Sequence, residues 1–203
     1  MRETALSEML AAEDHKLDFT SYAELAVRLV NTEVTSGTGD SEKLGTIDAL
    51  RALAAGEAYL AGPCTARDLE ALAELRAELT GIFTAAAEAD QATAAGRLNA
   101  LLVRYPLHPC LVDHDHTGWH LHLDPSGSVA DRYGAAAVLG LAMIVSRLGL
   151  GHLGTCAAPG CRRVFADTQP GQPVSYCADH GPAQENVTAL PSRARYSASS
   201  ATG

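Results

Sequence analysis

Three cysteines and one histidine stand within twenty-five positions in "TCAAPGCRRVFADTQPGQPVSYCADH", residues 155–180. Their spacing, Cys156-x4-Cys161-x15-Cys177-x2-His180, makes two short clips separated by a loop. Thiolate and imidazole are zinc donors, and paired clips are how small modules surround a tetrahedral ion. Pro159 and Gly160 can turn the first clip so that both sulfurs face inward. Four protein ligands leave no position for water, so the chemistry expected here is a structural Zn²⁺. His152, four residues before Cys156, is the rival to His180 for the fourth place. Cys64 and Cys110 would serve only if the domains packed that way, and otherwise read as small buried hydrophobes.

A disulfide competes for the same cysteines in an oxidising compartment. Five cysteines is an odd number for a disulfide framework, and "MRETALSEMLAAEDHKLD" has neither an apolar core nor a small-residue cleavage pattern. A reducing, cytoplasmic setting is expected.

The second concentration of chemistry is "PCLVDHDHTGWHLHLDPSG", which carries His114, His116, His120 and His122. Its alternation on both sides of Thr117-Gly118 predicts a β-hairpin over residues 109–123 with a two-residue turn. That register puts His114 and His116 on a face with Trp119 and Leu121, and His120 and His122 on the other with Asp113 and Asp115. All four imidazoles then cannot converge. Arg28 and Asn31, three apart in a helix and followed by Thr32 and Glu33, are the other polar candidates. Arg28, Asn31, His114 and His116 are therefore the residues expected to meet a small-molecule ligand. No nucleophile elbow, phosphate-binding glycine loop or dinucleotide fingerprint is present, so no reaction class is assigned and a non-enzymatic role is expected.

Helices must position these groups. Residues 21–31 place Leu25, Leu29 and Val30 on one stripe, and a short helix runs from Thr46 to a Gly56 stop. From Thr65, with Asp68 as its capping partner, Leu69, Leu72, Leu75, Leu79, Ile82 and Phe83 recur at helical spacing. A further helix turns Leu98, Leu101 and Leu102 inward and stops before Pro106. Residues 133–146 form an uncharged run of fourteen. That is too short to span a bilayer and reads as a buried central helix, stopped near Gly149; no membrane partner is expected. The fold class is α+β: a mostly helical N-terminal domain with one hairpin (1–150) and a small zinc-binding module (151–190). The Ser/Ala-rich end, 191–203, has little to bury.

At 203 residues, 47% hydrophobic and 19% charged, the composition is that of an ordinary globular chain. The net charge of -9 disfavours nonspecific attraction to a polyanion. From Leu150 onward Arg162, Arg163, Arg193 and Arg195 face Asp167, Asp179 and Glu185, a surplus of one positive charge with no lysine.

"RLVNT" (28–32), "LEALAELRAEL" with the later "LNALL", the late hairpin, the Ala-rich helix and "CAAPGCRRVFADTQPG…YC" together resemble the bacterial ABATE-domain proteins that end in a CGNR-type zinc finger. The similarity covers about residues 22–180, and its most specific piece runs from Cys156 to Thr168. The family is described as stress-induced transcription regulators. The resemblance implies an α-rich domain of unassigned activity joined to a zinc-binding, DNA-contacting finger; on that reading the helical domain senses a ligand or partner, and Arg162, Arg163, Arg193 and Arg195 are the residues expected to touch phosphates. The chain departs from the family where the finger should end. Tyr176 and Cys177 keep the aromatic and the third ligand, but "QPVSYC" lacks the arginines and "CADHGPAQENV" offers His180 in place of a fourth cysteine. A small-molecule-binding protein or enzyme with a purely structural zinc and no DNA binding is the alternative.

Overall fold

The computed structural model describes residues 19–33, 44–112, 119–124, 126–171 and 174–181. Among the described residues, five α-helices and two two-stranded antiparallel sheets follow one another: α1 (Phe19–Val30), α2 (Ile47–Ala54), α3 (Ala66–Ala87), α4 (Gln91–Arg104), β1 (His108–Val112), β2 (His120–Asp124), α5 (Val129–Leu148), β3 (Leu153–Thr155) and β4 (Val164–Ala166).

Four of these helices, α2 to α5, begin at a capping side chain. Thr46 caps α2 by accepting from Ala49 N, and Asp90 caps α4 by accepting from Thr93 N. Thr65 and Asp68 form a capping box on α3, and Ser128 and Asp131 form one on α5. Asp68 does more than cap its own helix. Its Oδ2 accepts from Thr65 N at 2.9 Å while its Oδ1 accepts from Ala130 N, in the first turn of α5, at 3.1 Å. One buried carboxylate thereby satisfies unpaired donors of two helices, which locks their starting ends together.

α5 is the centre of the body. It is long and apolar enough to cross a membrane, yet most of it is buried inside the fold, chiefly against α1, with α3 and α4 also packed on it. A Cβ on Gly140 would collide with the backbone of Tyr22 and Ala23, so α1 and α5 meet backbone to backbone there. The Tyr133 hydroxyl donates to Leu25 O at 2.8 Å across the same interface. Leu25, Leu29, Leu72, Leu75, Leu79, Ile82, Phe83, Leu98, Leu101 and Leu141 are all buried in one core, as their helical spacing predicts.

The hairpin exists, but in another register. Val112 pairs with His120, Cys110 with His122 and His108 with Asp124, so residues 113–119 separate the strands instead of a two-residue turn. Thr117-Gly118 lies outside the described residues, and its residue types suit neither two-residue turn. A type I′ turn needs positive φ at both central residues, which a β-branched threonine resists, and a type II′ turn needs glycine first. The shift is an odd number of positions, so it reverses which residues share a face. His120 and His122 lie opposite Val112 and Cys110, not Asp115 and Asp113. His114 and His116 lie outside the described residues.

Candidate metal centre

β3 and β4 form a short ribbon, with Thr155 opposite Val164, and the first clip grows from its open end. Cys156 N donates to Arg163 O at 2.8 Å, which extends the ladder by one bond. Cys161 N then donates to Ala158 O at 3.0 Å across Pro159-Gly160, with Gly160 at φ 77°. Proline followed by a left-handed glycine is the pattern of a type II turn, and it folds the two thiols toward one point. The second clip is a helical turn: His180 N and Gly181 N both donate to Cys177 O at 2.9 Å. Ala157 N donates to Ser175 O at 2.9 Å, and the Arg163 guanidinium meets Asp179 at 2.8 Å, so two bridges join the clips.

The result is one cluster. The donor atoms of Cys156, Cys161, Cys177 and His180 all lie within 4.8 Å of one another. His180 Nδ1 stands 3.5 Å from Cys156 Sγ and 3.3 Å from Cys177 Sγ. A tetrahedral ion with sulfur at about 2.3 Å and nitrogen at about 2.0 Å would set those edges at about 3.5 Å, so the four residues fit such an ion. Burial pushes the Cys156 thiol up, but hydrogen bonds from the Cys177 and Ala158 backbone and from the Cys177 and Cys161 thiols outweigh it and bring it down to about 7. Cys177 moves the other way, raised by burial and by the negative charge that Cys156 and Cys161 place beside it. Three thiolates this close repel one another, and a cation between them removes the repulsion.

His180 is the fourth member. His152 is buried elsewhere, with Nδ1 3.6 Å from Asp167 Oδ2. Cys64 is half-buried against the helical core and outside the group.

The module is fastened to the helical body through Asn31. Its Nδ2 donates to Val164 O at 3.0 Å and its Oδ1 accepts from Val164 N at 2.9 Å, so the amide acts as a missing neighbour strand for β4. The following residue takes part as well: Thr32 Oγ1 accepts from Arg76 at 2.9 Å and donates to Leu29 O. Leu153 and Val164 join the main core, whereas Cys156, Ala158 and Cys177 form a small separate cluster with Cys161 and Tyr176 packed on it. The sequence carries no sign of the Asn31–Val164 pairing, because the partners are 133 positions apart.

Between α1 and the module lies a cleft of about 750 Å³ whose lining includes Thr20, Glu24, Arg28, Asn31, Arg163 and Asp167. Arg28 and Asn31 thus come together in it, Arg28 also meeting Glu57 at 3.5 Å. Arg162 is exposed beside the first clip, and Arg193 and Arg195 lie outside the described residues.

The sequence profile of the ABATE family, described as "putative stress-induced transcription regulator", matches residues 23–157, more than half of the chain. The chain belongs to the ABATE family. The matched segment runs from α1 through the hairpin and α5 to the first cysteine of the metal centre, and so contains both Asn31 and Cys156. Among curated proteins no sequence matches the chain.

Proposed function

We propose that this ABATE-family protein is a cytoplasmic transcription regulator whose C-terminal module is a DNA-contacting finger held by one structural Zn²⁺. The observation that carries the reading is the convergence of three thiols and an imidazole within 4.8 Å, in a chain whose family is described as a transcription regulator. Zinc suits the site because it accepts mixed sulfur and nitrogen donors in tetrahedral geometry and is not redox active. With Cys156, Cys161, Cys177 and His180 all engaged, the ion has no open position and serves the fold. Arg162 and Arg163 flank the first clip, and with Arg193 and Arg195 they supply the phosphate contacts. The helical domain and the finger respond to a ligand through the cleft that Arg28 and Asn31 line.

The test is a titration of the zinc-loaded full chain with duplex DNA at several salt concentrations. Binding that weakens as salt rises, and weakens again in Arg162→Ala/Arg163→Ala, supports the regulator. No binding at low salt overturns it. The net charge of -9 and the cleft favour a second reading, a small-molecule-binding protein or enzyme in which zinc only staples the module. A ligand retained in that cleft by a chain that ignores DNA would decide for it.

A further inference from the structure

The cleft between α1 and the metal module has largely apolar walls and, in its lining, one arginine that is held only loosely. We propose that it takes an apolar carboxylate, a molecule with a hydrocarbon body and one anionic head. This rests on the reading above, in which the cleft holds a ligand, and adds the ligand's class.

The walls account for the body. Thr20, Glu24, Val27, Arg28 and Asn31 recur at helical spacing, so one stripe of α1 forms a wall about 16 Å long. Leu53 on α2 and Phe165, Val174 and Tyr176 of the module add apolar surface around it. Val174 is 45% exposed, a large apolar side chain left in water at the cleft itself. A hydrocarbon chain lying along α1 would cover it, and a volume of about 750 Å³ is that of a small-molecule site.

The head follows from which polar groups are already engaged. Asn31 spends both ends of its amide on Val164. Asp167 is buried, and its two oxygens accept from Gln169 N at 3.0 Å and Val174 N at 3.3 Å. Arg163 meets Asp179 at 2.8 Å. Arg28 is different: its side chain is 40% exposed, and among the described residues its ionic partner is Glu57 at 3.5 Å, the outer limit of a hydrogen bond. A guanidinium has five N–H donors in a planar fork that matches a carboxylate, so Arg28 keeps the capacity to hold one. Glu24, one turn earlier on the same stripe, is exposed and places a like charge near that head. The opposite wall includes Cys177 and Gly181 of the second clip, so a ligand here touches the helical body and the metal module together.

Isothermal titration calorimetry of the zinc-loaded full chain with decanoate, decanol and decylamine, each below its aggregation limit, compares three heads on one hydrocarbon body. Decanoate should bind at about one molecule per chain and about tenfold more tightly than the other two. Arg28→Gln should abolish that preference, and Glu24→Gln should tighten decanoate by about threefold. Ala52→Phe, which fills the cleft from the exposed side of α2, should weaken all three. Far-UV circular dichroism checks that each variant is folded. Decanol or decylamine bound as tightly as decanoate, a preference that survives Arg28→Gln, or no uptake of decanoate by the folded chain would each overturn the proposal. A parallel DNA titration separates it from the regulator reading. A chain that takes up decanoate through Arg28 and ignores DNA keeps this site and loses the regulator, whereas one that binds DNA and takes up no carboxylate keeps the regulator and loses this site.

Discussion

Asn31 and Val164 exchange two hydrogen bonds, at 3.0 and 2.9 Å, across 133 positions of sequence. Through this exchange the end of α1 holds the ribbon from which the first cysteine clip springs. Val164 is buried, so its backbone groups have no water to turn to if the amide is lost. Asn31→Ala should lower stability by about 2 kcal/mol, and Asn31→Asp, which keeps an acceptor and loses the donor, should also be destabilising. Urea denaturation of the zinc-loaded protein measures both. An Asn31→Ala variant as stable as wild type would mean that the clamp carries no load.

Gly140 and Gly96 make a paired prediction. A methyl group at Gly140 would meet the backbone of Tyr22 and Ala23, which cannot move without separating α1 from α5. Gly140→Ala should cost about 3 kcal/mol or more. Gly96, inside α4, has nothing within 4 Å of a built Cβ. Gly96→Ala should raise stability by about 0.5–1 kcal/mol through helix propensity and a less mobile unfolded chain. Thermal melts of the two variants check the opposite signs.

Much of this architecture can be read from the chain because its determinants are local. Thr65 with Asp68 announces α3, the leucine and isoleucine spacing from Leu72 to Ile82 announces the buried stripe, and Pro159-Gly160 announces the turn in the first clip. The Cys₃His group was legible for the same reason, since two short clips fix most of its geometry. The hairpin register was not. Alternation along two strands leaves the pairing between them open, and a shift of an odd number of positions exchanges the two faces. The second bond made by Asp68, to Ala130, and the Asn31 clamp are contacts between distant elements, which no local pattern encodes.

Asp68 makes stability depend on pH at the acid end. Burial alone would push its carboxyl up, but hydrogen bonds from the Thr65 side chain, the Ala130 and Thr65 backbone and the Ser128 side chain bring it below the usual value. A carboxyl depressed in the folded state contributes stability that is complete above its unfolded value of about 3.9 and is lost as pH falls through the lower folded value. The stability difference between wild type and Asp68→Asn should therefore be constant from pH 8 to 5 and shrink below about pH 4. Denaturation at a series of pH values follows that difference, in which the metal contribution common to both proteins cancels. A gap that widens on acidification would contradict the assignment.

Chelation should dissect the molecule. The small cluster of Cys156, Ala158 and Cys177 has little apolar surface of its own, and bound zinc can supply on the order of 10 kcal/mol to such a module. The helical body has its own core, which also takes in Leu153 and Val164. Removal of metal should make Cys156, Cys161 and Cys177 reactive to alkylation while the far-UV helical signal persists. Simultaneous loss of both signals would show instead that the clips and the helices fold as one unit.

Zinc content of Cys161→Ser relative to wild type, measured by elemental analysis after dialysis against a weak chelator, is the most direct test of the C-terminal centre. The ligand set formed by Cys156, Cys161, Cys177 and His180 predicts that the variant loses one ion per chain, about one equivalent. Equal zinc in the two proteins would contradict it.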